Sequence, residues 1–145
     1  MVRVMATGVF DLLHPGHLHY LTEAKKLGNE LVVVVARDVT VRKLKREPIV
    51  GEEARRIMVE ALKPVDSAIL GSEKDMFDTV VKVRPDVIAL GFNQHWDEKD
   101  IEEGCAKHGV PARVVRVSGI RESTLSTRGI IGRILAMNGS LGGKS

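Results

Sequence analysis

The chain reads Gly8-Val9-Phe10-Asp11-Leu12-Leu13-His14-Pro15-Gly16-His17 between its first two predicted elements. An apolar run at residues 2–6 precedes this stretch and predicts a strand. Apolar residues at helical spacing follow it and predict one face of a helix: Leu18, Leu21, Ala24 and Leu27. The stretch is therefore predicted to be a strand-to-helix turn, and the rest of the fold is built outward from it.

Two histidines and the residues between them indicate what this turn binds. Pro15 suits a first helical turn, where its missing N–H would be unpaired, and Gly16 lets a ligand approach the backbone closely. His14 and His17 are three residues apart and lie on one side of the helix. Helix N-termini attract phosphate oxygens through free N–H groups and a partial positive charge. We therefore expect a phosphate site, the alternative being a helix start with two surface histidines.

Strand and helix patterns alternate along the rest of the chain. Residues 31–36 form a β-branched run, typical of parallel strands that are buried on both faces. Two further apolar runs, at residues 68–70 and 87–90, and a valine-rich stretch at residues 113–117 predict strands. We expect a three-layer α/β/α, Rossmann-like fold with a five-stranded parallel sheet. Residues 1–137 would form this domain, followed by a flexible tail at residues 138–145.

Apolar spacing also predicts which sides of two later helices face the core. The first helix spans residues 52–62, and the second begins after Ser126 or Thr127, either of which can cap it. The residues predicted to face inward are Ala54, Ile57, Met58 and Ala61 in the first helix and Ile130, Ile131, Ile134 and Leu135 in the second.

Composition narrows the class of protein. The 145 residues suit one domain, and a net charge of +3 is too small to indicate a surface for nucleic acid. Three Phe, one Tyr and one Trp provide no platform on which single strands could stack. Cys105 is the only cysteine, which excludes an intrachain disulfide and favours a reducing compartment. No apolar run approaches the length of a membrane span. We therefore expect a single cytoplasmic domain of enzyme size that binds neither nucleic acid nor membrane.

A basic segment follows the second strand. It lies past that strand's carboxyl end, where open α/β sheets bind ligands. Because its like charges repel and few apolar side chains anchor it, we expect residues 37–46 to be mobile without nucleotide and to order over its phosphates. The alternative is an ordered, solvated turn. The clustered cations of this segment are Arg42, Lys43, Lys45 and Arg46.

Several of these stretches resemble one superfamily. His14-Pro15-Gly16-His17 resembles the HxGH signature of the nucleotidyltransferases that include cytidylyltransferases and adenylyltransferases, and residues 8–11 resemble their G-x-F-D lead-in. Residues 90–93 resemble the M-G-D-D or L-G-x-D segment, with Asn93 in place of an acid. Residues 121–127 resemble the R-x-x-x-I-S-T-T signature, with Leu125 for Ile and Arg128 for the last Thr. Residues 36–72 are similar to the archaeal FAD synthase family, whose C-terminal cysteines this chain lacks.

The resemblance implies transfer of AMP from ATP to FMN with release of pyrophosphate. The catalytic candidates are then His14, His17, Lys43 and Arg121, with the histidines holding the triphosphate as charge develops. A divalent ion, Mg²⁺, is expected to bridge phosphate oxygens. The residues expected to bind the nucleotide are Val9, Phe10, His14, Pro15, Gly16, His17, Lys45, Arg55, Asn93, Ile120 and Ser126.

Two other functions stay open. The residues do not separate ATP from CTP, so a cytidylyltransferase acting on glycerol phosphate or a similar phosphorylated alcohol is one alternative. The other is a nucleotide-binding module without turnover, against which both histidines, the basic segment and Arg121 argue. The resemblance also implies a homodimer whose other partners are small-molecule substrates.

Overall fold

The computed structural model describes residues 1–119 and 126–141. Five parallel strands form one sheet in the order β3-β2-β1-β4-β5. The strands are β1 Arg3–Gly8, β2 Glu30–Val35, β3 Ser67–Leu70, β4 Val87–Leu90 and β5 Arg113–Arg116. The five-stranded parallel sheet predicted from the sequence is thereby confirmed.

Helices connect the strands and cover both faces of the sheet. Val33 and Val35 of β2 belong to the core shared with α1 and α3, whereas Val32 and Val34 belong to the core shared with α4 and α5. This alternation buries the sheet on both sides and confirms the three-layer α/β/α arrangement. The helices in the described ranges are α1 Pro15–Lys25, α2 Asp38–Lys43, α3 Glu52–Glu60, α4 Met76–Val83, α5 Glu98–Lys107 and α6 Thr127–Leu141.

The chain reverses its direction of winding between β1 and β4. β1 pairs with β2 on one side and with β4 on the other, so a crevice opens beyond the carboxyl ends of β1 and β4. The buried Tyr20 hydroxyl donates to the Ala89 carbonyl at 2.7 Å and accepts the Thr7 N–H at 3.2 Å. Tyr20 therefore joins the two strands just below the crevice, and burial raises the pKa of its hydroxyl.

The inward face predicted for α3 is wrong. Ala54, Ile57, Met58 and Ala61 are exposed, whereas Arg55 and Val59 are buried. The buried arginine finds enough hydrogen-bond partners to offset its burial, which reverses the orientation that apolar spacing alone indicates. Leu18 of α1 is exposed as well, although Leu21 and Ala24 are buried as predicted.

Two further segments differ from their predictions. Residues 38–43 form the helix α2, which the fully buried Val41 side chain anchors, whereas the sequence predicts a segment with few apolar anchors. The mobility of this segment without nucleotide stays a prediction. In α6, Ile134 and Leu135 are exposed, although their spacing predicts that they face the core. α6 continues to Leu141 and so includes the start of the predicted tail. The flexibility of the tail stays a prediction. No helix in the described ranges is both long enough and apolar enough to cross a membrane.

Candidate active site

The two histidines of the turn cap α1. The N–H of Gly16 donates to Nδ1 of His14 at 3.0 Å, and the N–H of His14 donates to Nδ1 of His17 at 3.3 Å. The imidazoles thus form a reciprocal capping box, with ring centroids 3.9 Å apart. Because both Nδ1 atoms accept, each neutral ring carries its hydrogen on Nε2 and can donate from there. α1 begins at Pro15, as the sequence predicts.

Burial keeps both rings neutral at neutral pH. Partial burial lowers the pKa of His14. Deeper burial, together with the neighbouring His14, lowers the pKa of His17 to about 4. A bound triphosphate would raise both values, since a nearby negative charge favours the charged imidazole. Before phosphate binds, the pair therefore acts through two N–H donors at a helix N-terminus, not through two positive charges.

We expect His17 to make the free energy of unfolding depend on pH. An unfolded His17 takes up a proton near pH 6.5, whereas the folded one stays neutral down to about pH 4. Above pH 6.5 the ring is neutral in both states, so its protonation does not affect the free energy of unfolding. As the pH falls from 6.5 to about 4, only the unfolded chain takes up the proton, and the free energy of unfolding falls. The measurement is urea unfolding across this range for the wild type and His17→Gln, since Gln preserves the capping box without titrating. Parallel pH curves for the two proteins would contradict the assignment.

The backbone before the histidines is strained and tightly packed. Phe10 has a φ of +55°, in the left-handed region that non-glycine residues rarely adopt. Its buried ring lies 5.3 Å from the His17 ring, centroid to centroid. A Cβ on Gly8 would come within 2.7 Å of this ring, so Gly8 is needed for the close approach. Of the predicted contacts, Phe10 therefore supports His17, while the Val9 carbonyl accepts a hydrogen bond from Arg55.

Arg55 is buried below the site. Its guanidinium donates to the carbonyls of Val9, Ala36 and Val50 at 2.7 to 2.8 Å and to the Asp38 carboxylate at 2.6 Å. This bond to Arg55 is the main reason why the pKa of Asp38 is lowered. The side chain is 1% exposed, so the structure does not bring it to the open crevice with the histidines. Arg55 instead joins the chain after β1, the chain after β2 and the start of α3.

Asp11 supports the same region and was missed as a functional residue. Its buried carboxylate accepts the N–H groups of Ile49 and Val50 at 2.9 to 3.1 Å. Together with Arg55, which binds the Val50 carbonyl, it fixes the chain just after the basic segment to the histidine turn. The G-x-F-D lead-in contained this residue, but no local signal indicated that its partners lie 38 and 39 residues away.

The two lysines of the basic segment are exposed, unlike Asp11 and Arg55. Lys43 is in the last turn of α2, and its Nζ donates to the Glu73 carbonyl at 3.1 Å. Lys45 follows with a φ of +60° and an exposed side chain. Arg42 forms an exposed ion pair with Glu47. Both lysines are therefore accessible to an anion beyond β2.

The remaining predicted residues lie on three different segments. Asn93 is exposed in the loop after β4. Ser126 caps α6 by accepting the Gly129 N–H at 2.9 Å, and Thr127 donates to the Leu12 carbonyl at 3.2 Å. Ile120 and Arg121 lie outside the described residues.

Gln94 is a crevice residue that the sequence did not indicate. Its Oε1 accepts the Gly91 N–H at 2.7 Å, and its Nε2 donates to the Thr7 carbonyl at 3.2 Å. Gln94 therefore connects the carboxyl ends of β4 and β1, the two strands that flank the crevice.

Comparisons with known proteins agree with this arrangement. A family model described as Cytidylyltransferase-like matches residues 5–133. Over 136 residues the chain is 60% identical to a FAD synthase of Aciduliprofundum boonei, covering 93% of this chain and 91% of the relative. It is 54% identical to a FAD synthase of Archaeoglobus profundus, covering 93% and 87%.

A solved structure gives the same answer for the fold. The crystal structure described as the lipopolysaccharide core biosynthesis protein from Thermoplasma volcanium GSS1 is 53% identical and superposes with a TM-score of 0.81. The match covers 83% of this chain and 99% of that protein. The chain belongs to the cytidylyltransferase-like family.

Proposed function

We propose that the protein transfers AMP from ATP to FMN and releases pyrophosphate. The observation that carries this proposal is the pair of neutral imidazoles, with Nε2 donors, at the N-terminus of α1 beside the crevice. A helix N-terminus of this kind binds phosphate oxygens. The choice of FMN as acceptor is supported by the high identity to the two FAD synthases.

The reaction needs positioning and charge stabilisation. A phosphate oxygen of FMN attacks the α-phosphorus of ATP, a new P–O bond forms, and the bond to the pyrophosphate oxygen breaks. The departing pyrophosphate takes the electron pair. His14 and His17 would donate to phosphate oxygens as charge develops, and donors fixed before the reaction lower the barrier because they need no reorganisation. Arg121, which matches the first residue of the R-x-x-x-I-S-T-T segment, is proposed to neutralise phosphate charge.

The described side chains do not fit a metal centre held by the protein. They contain no group of three His, Cys, Asp or Glu residues placed to hold an ion. Both carboxylate oxygens of Asp11 accept backbone N–H groups, and Asp38 is paired with Arg55. We therefore treat Mg²⁺ as part of the nucleotide substrate, carried by phosphate oxygens and water.

Lys43 and Lys45 are proposed to bind the triphosphate. Hydrogen bonds to charged groups contribute about 1.5–3 kcal/mol, so Lys43→Ala combined with Lys45→Ala should weaken ATP binding about tenfold or more. Stability should change little, because Lys45 is exposed and Lys43 makes one exposed contact. Isothermal titration with ATP measures the effect. The matched control replaces Lys82 and Lys107, exposed lysines at the ends of α4 and α5.

The same segment is proposed to close over bound nucleotide. Closure should reduce protease cleavage within residues 37–46 when ATP is added. Equal cleavage with and without ATP, together with normal ATP binding by the double variant, would leave this segment as ordinary surface.

Product analysis tests the proposed function directly. The protein is incubated with Mg²⁺, either ATP or CTP, and either FMN or glycerol phosphate, and the products are identified by mass. We expect FAD and pyrophosphate from ATP and FMN. A cytidylyl product from CTP would instead favour the cytidylyltransferase alternative, and nucleotide binding without any product would favour a non-catalytic module.

We also propose that the protein is a homodimer in the cytoplasm. Ile57 and Met58 of α3 and Ile134 and Leu135 of α6 are each more than half exposed. An apolar groove of about 470 Å³ lies between these helices and includes Met58 and Ile134. A two-fold dimer needs only one self-complementary surface, which these helices would supply. Light scattering at working concentration measures the mass, and a monomeric mass would contradict the dimer.

A further inference from the structure

The loop between β4 and α5 contains no helix or strand. It runs from Gly91 to Asp97 and carries Asn93 and Gln94 at the edge of the crevice. The Phe92 and Trp96 side chains are more than half exposed. A loop with so few buried apolar side chains must be held by other contacts.

Arg116 supplies those contacts from the end of β5. Its Nη1 donates to the carbonyls of Gly91 at 3.0 Å and Gln94 at 2.8 Å. Its Nη2 donates to the Trp96 carbonyl at 2.6 Å. Nε and Nη2 both donate to the Glu98 carboxylate in the first turn of α5. One planar guanidinium thus joins the start, the middle and the end of the loop.

We propose that Arg116 is a positioning residue for the nucleotide. It fixes the Gly91 and Gln94 carbonyls, and the Gln94 side chain in turn holds the Gly91 N–H and the Thr7 carbonyl across the crevice. Asn93 lies between these fixed points. Arg116 therefore sets the loop shape that the bound nucleotide meets, without touching the reacting phosphates. This inference rests on the proposed nucleotidyl transfer.

Lysine cannot replace arginine in this role. Its ammonium is a single centre with three donors, whereas the guanidinium offers five N–H groups in a rigid fork. Arg116→Lys keeps the positive charge opposite Glu98 but cannot reach three carbonyls that are spread along the loop. The variant therefore separates the effect of geometry from that of charge.

Two measurements on Arg116→Lys test the proposal. The KM for the nucleotide should rise about tenfold or more with a smaller change in kcat, because the loop contributes to binding in both the ground and the transition state. Trp96 is the only tryptophan, so its fluorescence anisotropy reports on the loop directly and should fall. Glu98→Gln should show smaller changes in the same direction, since it keeps the guanidinium and weakens its anchor.

Arg3→Lys is the matched control. Arg3 also pairs with a carboxylate, Glu30 at 2.5 Å, and with a carbonyl, Val83 at 2.6 Å, but it lies at the amino end of β1. Neither readout should change in this variant. An unchanged KM or an unchanged Trp96 anisotropy in Arg116→Lys would overturn the proposal, and so would equal changes in Arg3→Lys. Because the anisotropy needs no reaction, a failure of the proposed function is distinguished from a failure of this inference.

Discussion

Replacing either His14 or His17 by Ala is expected to lower the rate of AMP transfer about a hundredfold or more, the usual loss when one fixed transition-state donor is removed. Each ring offers an N–H from Nε2 at the N-terminus of α1, because Nδ1 already accepts a backbone N–H. The measurement is the rate of FAD formation at saturating ATP and FMN. Unchanged turnover in both variants would exclude the two histidines from the chemistry.

The histidines also cap α1, so the loss of rate must be separated from a loss of structure. Removing an N-cap costs about 0.5–2 kcal/mol, whereas Asn is one of the preferred N-cap residues. We therefore expect His14→Asn to have a melting temperature close to that of the wild type and still to lose AMP transfer. His108→Ala is the control for histidine removal, since His108 stacks on Phe77 at the end of α5, away from the crevice. It should transfer AMP at the wild-type rate.

Local patterns predicted the strands and the histidine turn, because the signals for both come from residues that are close in sequence. The β-branched residues of β2 indicate a strand buried on both faces, and the cap of α1 is formed by residues at most three apart. The arginine contacts are different. Arg55 meets Val9 across 46 residues, and Arg116 meets Gly91 across 25. The resemblance names Arg55 as a nucleotide-binding residue, but no local pattern indicates that either arginine binds carbonyls of distant segments.

The error in the face of α3 has the same origin. Apolar spacing assigns Ile57 and Met58 to the interior, and a charged residue such as Arg55 is ordinarily placed outside. In the fold, carbonyls after β1 and β2 point at the position of Arg55, and their hydrogen bonds make its burial favourable. These carbonyls are brought together only once the parallel sheet has formed. The apolar spacing of the helix therefore cannot predict that they bind Arg55.

Arg55→Ala is expected to lower the free energy of unfolding by about 3 kcal/mol or more, because each buried carbonyl that loses its donor costs about 1–3 kcal/mol. The loss would take up much of the 5–15 kcal/mol that stabilises a typical domain. The loss arises because the substitution leaves three carbonyls without their donor and the Asp38 carboxylate without its cation. The pKa of Asp38, which the Arg55 hydrogen bond holds down, should rise towards its ordinary value.

The neighbouring Arg56 provides the control for this prediction. Its guanidinium is partly exposed: it pairs with Glu53 and Glu60 of the same helix and, among the described residues, donates to a single carbonyl, that of Ala68, at 3.3 Å. Such partly exposed ion pairs contribute little to stability. Urea unfolding of Arg55→Ala and Arg56→Ala should therefore give a large loss and a small one, although the residues are adjacent. Equal losses would mean that Arg55 is not the hydrogen-bonded centre of this part of the fold. A large loss confined to Arg55 would explain why an arginine occupies the buried side of α3, where apolar spacing places no charge.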